Sequence, residues 1–223
     1  MSADVYNIEE YIALKKGLSK HFESATHFTP ENLKKYNELL KEFEESNESK
    51  DSSKGKKLEN LVRFIFDNID VFEVYSNIYT STNEIDHLVA LSEFGQILAR
   101  DGLFDIKGNY LLCECKNYTG TIDVTWVGKF CNLVSDQPAR IGILFSHKGF
   151  RGKGNWDSAK GLVKKFYYRK ENYSDKMYII DFNLNEFKRL GAGESFINII
   201  KEKVQSIETD TDFEKYLTRH PAQ

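Results

Sequence analysis

The strongest pattern of apolar and charged positions in the chain is a short apolar run at 110–117 that ends in two opposite charges. Turn-forming residues flank this run on both sides, so it predicts a buried strand. Because side chains alternate along a strand, Leu112, Glu114 and Lys116 share one face. A carboxylate and an ammonium are costly to desolvate, so the two charges either neutralise each other as an ion pair or face a polar site. The run alone leaves both interpretations open.

Helical periodicity dominates the beginning of the chain. Apolar residues recur at helical spacing over 8–20 and again in a second helix, for which Thr29 is the predicted N-cap. The stretch 44–53 is entirely polar and predicts a linker. We therefore divide the chain into an N-terminal helical region and linker, residues 1–50, and a larger domain, residues 51–223.

The larger domain alternates between helical and strand patterns. We expect the first strands to pair antiparallel, and the strand–helix alternation after residue 117 predicts right-handed crossovers with parallel pairing. The fold class is therefore α/β with α+β character: a mixed central sheet flanked by helices. The predicted elements are a helix beginning near 55, strands at 71–80 and 84–91, a strand or hairpin at 95–106, the strand at 110–117, a helix with Val124, Val127, Cys131 and Val134 inside, a strand at 141–145, a helix at 155–168, a strand at 177–180 and C-terminal helices.

Composition and charge exclude several classes of protein. A chain of 223 residues with 40% hydrophobic and 29% charged residues suits a globular protein. It has no apolar run near the ~20 residues that span a bilayer and no signal-peptide pattern, so we expect a cytoplasmic protein without a membrane partner. Cys113, Cys115 and Cys131 lack zinc spacing and are predicted to be reduced and buried. The net charge of −3 neither indicates nor excludes a nucleic-acid partner.

Two more carboxylates join the charged strand end. Asp86 lies in a predicted strand, where its side chain points the same way as that of Glu114 if the two strands are neighbours. His87 faces the other way and is predicted to be a packed histidine. Glu59 lies beside the apolar stripe of its helix, where it can flank an end of the sheet.

The chemistry of these side chains supports grouping them. Carboxylates that lie close together raise one another's pKa unless a cation sits among them. Mg²⁺ suits such a site because it accepts one or two carboxylates and completes its shell with waters and phosphate oxygens. The backbone carbonyl of Cys115 is a natural further ligand, and Lys116 can orient a water or stabilise developing charge. These are the requirements of phosphodiester hydrolysis.

With these motifs the chain resembles the PD-(D/E)xK nuclease superfamily, and within it the Mrr-type restriction endonucleases. The resemblance covers about 55–181 and rests on three motifs in order, with a matching later strand and helix. Mrr-type relatives often carry Gln at the position of Glu114, so this chain is nearer the general form of the superfamily. The segment between the second and third motifs is long and is expected to hold an inserted hairpin. The motifs are Gly55-Lys56-Lys57-Leu58-Glu59, Glu84-Ile85-Asp86 and Leu112-Cys113-Glu114-Cys115-Lys116-Asn117.

The resemblance implies a restriction-endonuclease-like core and a Mg²⁺-dependent DNA endonuclease, with Mn²⁺ as a substitute metal. It implies that Asp86 and Glu114 bind the metal and that Lys116 assists the attacking water. Glu59 then supports the metal, directly or through a water. Members of the superfamily often pair two active sites to cut two strands, so a homodimer is expected as well.

A basic loop adds candidate contacts to nucleic acid. The segment 147–170 is rich in lysine and arginine, and its glycine-rich beginning joins a strand end to a helix. It either follows a phosphate backbone, with aromatic residues stacking on bases, or is a flexible loop followed by a solvated helix face. The candidate nucleic-acid-binding residues are Asn117, Lys148, Arg151, Lys153 and Trp156.

Two other functions stay open at this point. The first is a catalytically inactive nuclease fold that binds nucleic acid or a protein partner. The second is a structural α/β protein in which Glu114 and Lys116 form a buried ion pair. The intact set of Glu59, Asp86, Glu114 and Lys116 favours the enzyme over the inactive fold, whereas the structural protein is expected to show no response to metal.

Overall fold

The protein is built around a five-stranded sheet with the strand order β1-β2-β3-β4-β5. The computed structural model describes residues 8–48, 54–79, 84–101, 108, 110–118, 120–152 and 158–211. The strands are β1 (Phe72–Tyr79), β2 (Glu84–Leu91), β3 (Tyr110–Lys116), β4 (Ile141–Ser146) and β5 (Tyr178–Phe182). The helices are α1 (Ile8–Thr26), α2 (Pro30–Glu48), α3 (Lys54–Asp67), α4 (Glu93–Arg100), α5 (Val124–Ser135), α6 (Ser158–Tyr168), α7 (Leu184–Gly191) and α8 (Phe196–Thr209), with a 3₁₀ turn at Tyr173–Asp175.

The sheet is mixed, as the order of patterns predicts. Strands β1, β2 and β3 pair antiparallel, whereas β3, β4 and β5 pair parallel through crossovers that contain α5 and α6. Leu88 of β2 lies opposite Leu112 of β3, and directly opposed residues point to the same face of a sheet. The fold class is therefore confirmed: a mixed sheet flanked by helices, preceded by N-terminal helices.

Helices cover the two faces of the sheet. On one face, Phe66 of α3 makes edge contacts with Phe145 of β4 and with Phe196 of α8. On the other face, α5 approaches β4 closely at Gly142. A Cβ atom at Gly142 would lie 2.6 Å from the Val134 side chain, so this glycine lets the helix pack against the strand. The core thus lies in two layers, one on each side of the central strands.

Helix α2 shares this core. The buried hydroxyl of Tyr36 donates a hydrogen bond to the carbonyl of Phe187 (3.0 Å), and Phe43 packs edge-on against the Phe187 ring. The Thr29 cap is confirmed, because its Oγ1 accepts from the N–H of Asn32 (3.2 Å). The division of the chain near residue 50 stays a prediction.

Two sequence predictions about helix ends need correction. Helix α1 continues to Thr26 rather than ending near residue 20. Helix α2 continues to Glu48, so the first half of the predicted linker is helical, and 49–53 lie outside the described residues. The polar run begins one residue after the buried Phe43. Polar residues with good helix propensity extend a helix that packing has already formed.

The prediction of a strand or hairpin at 95–106 is also wrong for the part of this segment that the structure describes, residues 95–101. Residues Glu93–Arg100 form α4, which begins where Ser92 Oγ accepts a hydrogen bond from the N–H of Gly95 (3.0 Å). Leu98 is fully buried, so the cap and one apolar contact outweigh the strand-like composition. The insertion between the second and third motifs therefore contains a helix, and 102–107 lie outside the described residues.

The structure also bears on three smaller predictions, which concern the cysteines, Val124 and membrane-spanning helices. All three cysteines are free and buried, as predicted. Val124 is 43% exposed and not inside, because it occupies the first turn of α5, beyond the packed part of the helix. Within the described ranges, no helix is both long and apolar enough to cross a membrane.

Candidate functional site

The candidate site lies where β2 and β3 separate. Their pairing ends at His87 and Cys113, although β3 continues to pair with β4 as far as Lys116. Asp86 and Glu114 are the next residues in the same register, and both face the α5 side of the sheet. We call the group Glu59, Asp86, Glu114 and Lys116 the carboxylate corner.

Asp86 takes the place of the missing strand partner. Its Oδ2 accepts a hydrogen bond from the backbone N–H of Cys115 (2.7 Å). The N–H and the carbonyl of one strand residue project toward the same edge, so the Cys115 carbonyl also faces the gap. The gap therefore presents a carboxylate and a backbone oxygen, as the sequence predicts for a metal site.

Glu114 and Lys116 form an ion pair on the same face, with side chains that are 15% and 19% exposed. Burial raises the pKa of Glu114, and the nearby Asp86 carboxylate raises it further. Burial disfavours the Lys116 ammonium, but Glu114 outweighs burial and raises the pKa of Lys116. Lys116 is thus protonated at neutral pH.

One oxygen of Glu114 is not satisfied. Among the described residues, Glu114 Oε2 is buried and has no hydrogen-bond partner. A buried acceptor without a partner costs about 1–3 kcal/mol, and more if it is charged. The Lys116 ion pair therefore satisfies only part of this carboxylate, which leaves an oxygen free for a cation or a water.

Glu59 is brought to the corner by α3. Burial raises the pKa of Glu59, followed by the Asp86 carboxylate, while Lys116 lowers it, so the three charges interact. Asn117 holds the helix in place, since its amide donates to the carbonyl of Lys54 at the beginning of α3 (2.7 Å). All four predicted catalytic residues therefore meet at one end of β3. Asn117, a predicted contact to nucleic acid, uses its side-chain amide to bind α3.

The donor set fits a Mg²⁺ ion with few protein ligands. Among the described residues, no group of three or more His, Cys, Asp or Glu side chains is arranged to hold a metal ion. Mg²⁺ usually binds one or two carboxylates and keeps several waters, so three side chains are not required. Asp86, the unsatisfied oxygen of Glu114 and the Cys115 carbonyl would hold the ion, with Glu59 supporting it.

The basic loop is only partly described, and its described residues contact two different parts of the fold. The backbone N–H of Arg151 donates to the carbonyl of Ile122 (2.8 Å), which joins the beginning of the loop to the segment between β3 and α5, and the Arg151 side chain is exposed. Lys148 lines a cavity of ≈ 390 Å³ near β5, α6 and α8 instead. Lys153 and Trp156 lie outside the described residues.

His87 is packed rather than a ligand in the corner. It is 3% exposed, on the opposite face from Asp86, and its Nδ1 contacts Ser76 Oγ (2.9 Å). Burial lowers the pKa of His87, which favours its neutral form in the folded protein. The sequence prediction for His87 is confirmed.

A second buried charge cluster lies on β5, α7 and α8. Lys203 pairs with Asp181 (3.3 Å) and with Glu186 (3.0 Å), and Asp181 also accepts from the amide of Asn183 (3.2 Å). Both carboxylates have partners here, so this cluster has the character of a structural network. It contrasts with Glu114, whose second oxygen has no such partner.

The sequence places Tyr118 at the strand end beside the corner but does not predict its contact with Trp126 or the position of Lys129. Tyr118 and Trp126 pack together, and Lys129 lies over the Trp126 ring. Tyr118 follows Lys116 by two residues, which is the one signal in the sequence that places it there. The contact with Trp126 depends on the path of the loop before α5, which no periodicity reveals.

Comparison of the chain with protein-family models, with curated proteins and with solved structures gives no match. The resemblance to PD-(D/E)xK nucleases therefore rests on the three ordered motifs and stays a prediction. The fold and the geometry of the corner stand independently of it.

Proposed function

We propose that this protein is a Mg²⁺-dependent endonuclease that hydrolyses phosphodiester bonds in DNA. The observation that carries the proposal is the carboxylate corner, where three carboxylates and a lysine converge at the point at which β2 and β3 separate. An arrangement with an unsatisfied buried carboxylate oxygen is costly for stability, and such cost is typical of functional sites.

Each residue of the corner has a distinct task in this reaction. When bound, Mg²⁺ supplies electrostatic stabilisation of the charge that develops on the phosphoryl oxygens. Lys116 is protonated and so acts as a hydrogen-bond donor, which orients the attacking water and stabilises the developing charge, rather than as a general base. Asp86 and Glu114 would hold the ion, and Asp86 also fixes the Cys115 backbone by accepting from its N–H. Glu59 adds negative charge beside them.

The protein as a whole is negatively charged, but lysine side chains near the corner can attract a polyanionic substrate. The net charge of the chain is −3, so attraction to DNA depends on local cations rather than on the whole molecule. Lys116 supplies one cation within the corner, Lys129 shares the Trp126 ring with it, and Arg151 is joined to the segment between β3 and α5. A homodimer that cuts both strands and a cytoplasmic location stay predictions.

A second candidate is a nucleic-acid-binding module without catalysis. One observation favours it: Glu114 is paired with Lys116 and Asp86 is engaged by the Cys115 N–H. A corner that closes on itself in this way needs no metal. The two candidates differ in their response to Mg²⁺.

Cleavage of supercoiled plasmid with Mg²⁺ or Mn²⁺ tests the proposal. We expect metal-dependent nicking or linearisation by the wild type, and a rate lower by about 100-fold or more in Asp86→Asn. Asp70→Asn is the matched control, because Asp70 is exposed and precedes β1 at the other end of the sheet. If the wild type cleaves none of plasmid, single-stranded DNA, branched DNA and RNA, the binding module is favoured. If Asp86→Asn cleaves plasmid at the wild-type rate, the active site lies elsewhere.

A further inference from the structure

Two aromatic rings form a surface beside the carboxylate corner. The ring centroids of Tyr118 and Trp126 lie 5.9 Å apart, with their planes at 45°. Tyr118 is 39% exposed, whereas Trp126 is partly buried and packs against the core. We call this pair the aromatic platform, and Tyr118 is its accessible member.

Cations hold the inner ring of the platform. The Nζ atoms of Lys116 and Lys129 lie 5.3 Å and 4.8 Å from the centroid of the Trp126 ring. Both distances are within the range of cation–π attraction. The Trp126 ring is therefore fixed by its neighbours, and it positions Tyr118 next to the ammonium group that the proposed reaction uses.

The first turn of α5 offers no free anion site of its own. Its N-cap, Asp123, accepts hydrogen bonds from the backbone N–H groups of Thr125 (2.8 Å) and Trp126 (3.1 Å). A carboxylate at this position also repels an incoming phosphate. Recognition at this surface must therefore come from the rings and the lysine side chains.

Positive charge together with an accessible ring is the pattern that binds single-stranded nucleic acid. Cations follow the phosphates, and the ring stacks on a base, which is tolerant of sequence because every base has a flat face. In a duplex both faces of a base are covered by its neighbours. A tyrosine fixed beside Lys116 can reach a base only if that base is unstacked.

We propose that Tyr118 stacks on an unpaired base next to the scissile phosphate, so that the substrate of the carboxylate corner is DNA with a single-stranded segment at the cut. This inference rests on the proposed endonuclease function, which it narrows to flaps, gaps, forks or single strands. Supercoiled plasmid meets the requirement because its strands separate locally, whereas relaxed linear duplex meets it only at its ends.

Binding without metal tests the stacking apart from catalysis. Single-stranded DNA carrying the fluorescent base 2-aminopurine is titrated with wild type, Tyr118→Leu and Tyr118→Phe in EDTA. We expect quenching by the wild type, an affinity lower by about 10-fold in Tyr118→Leu, and near wild-type affinity in Tyr118→Phe, which keeps a ring. Tyr173→Leu, an exposed tyrosine on the 3₁₀ turn, is the matched control and is expected to bind like wild type.

The cleavage assay on the same proteins separates this inference from the proposed function. Wild type that cleaves gapped DNA faster than linear duplex, with the preference lost in Tyr118→Leu, supports both. Wild type that cleaves DNA while Tyr118→Leu binds single strands equally well would overturn the stacking and leave the endonuclease intact. Quenching that depends on Tyr118, without cleavage of any DNA, would overturn the endonuclease and keep the platform as a single-strand-binding surface.

Discussion

Mg²⁺ should stabilise this protein, and Asp86→Asn should abolish that effect. In the proposed function, Mg²⁺ binds the folded corner, where Asp86 and Glu114 lie in the register of neighbouring strands, but not the unfolded chain, where the two carboxylates are separated. A ligand that binds only the folded state stabilises it by RT ln(1 + [L]/Kd), which is about 1.4 kcal/mol at a Mg²⁺ concentration ten times Kd. In a chain of 223 residues this is a rise in Tm of roughly 3–6 °C.

The metal-free stability of Asp86→Asn is expected to change little. Removal of the charge relieves repulsion with Glu114, worth roughly 0.2–1 kcal/mol across neighbouring strands. It also replaces a charge-assisted hydrogen bond from the Cys115 N–H by a neutral one, which costs about 1 kcal/mol. The two effects have opposite signs and similar size. The metal response, not the starting Tm, therefore carries the prediction.

Thermal melts with EDTA and with Mg²⁺, on wild type, Asp86→Asn and the control Asp70→Asn, provide the measurement. The wild-type response should also shrink as the pH falls, because the raised pKa values of Glu114 and Glu59 let protons compete with the metal. An equal Mg²⁺ shift in wild type and Asp86→Asn, or no shift in the wild type at any concentration, would refute the metal site.

Three further predictions concern the fold. The pKa of His87 is lowered from 6.5, so the unfolded chain takes up the proton first and the free energy of unfolding decreases as the pH falls below about 6.5. In urea melts between about pH 7 and pH 5.5, the free energy of unfolding of His87→Gln should therefore decrease less steeply than that of wild type. An equal decrease in the two proteins would contradict this. Gly142→Ala should cost about 1–3 kcal/mol in the same assay, because the new methyl meets the Val134 side chain, and a neutral effect would mean that α5 can shift. Tyr36→Phe should cost about 1–3 kcal/mol by leaving the buried Phe187 carbonyl without its donor, and no loss would show that α2 is not docked in solution.

The sequence predicts the central sheet well because its strands are short and bounded by turn residues. The pairing of β2 with β3 is the condition that the grouping of Asp86 with Glu114 requires, and the structure meets it. Period-two alternation then places both carboxylates on one face. To predict this part of the candidate site, one needs only the local alternation of side chains and the pairing of β2 with β3.

Other features depend on contacts that sequence spacing does not encode. The hydrogen bond from Asn117 to the carbonyl of Lys54 joins residues 63 positions apart, and it fixes the helix that carries Glu59. The contact of Tyr118 with Trp126 depends on the loop that leads into α5. Helix α4 was missed because its glycine and apolar residues have the composition of a strand, and only the Ser92 cap distinguishes the two.

Cleavage and metal binding by Lys116→Met test the proposed nuclease site most directly. In the proposed reaction Lys116 acts in the chemical step, and Asp86 and Glu114 hold the metal. We therefore expect Lys116→Met to cleave plasmid about 100-fold or more slowly than wild type and to keep the Mg²⁺-induced rise in Tm. Lys201→Met, on α8, is the control and should match wild type in both assays. Cleavage by Lys116→Met at the wild-type rate would contradict the nuclease site.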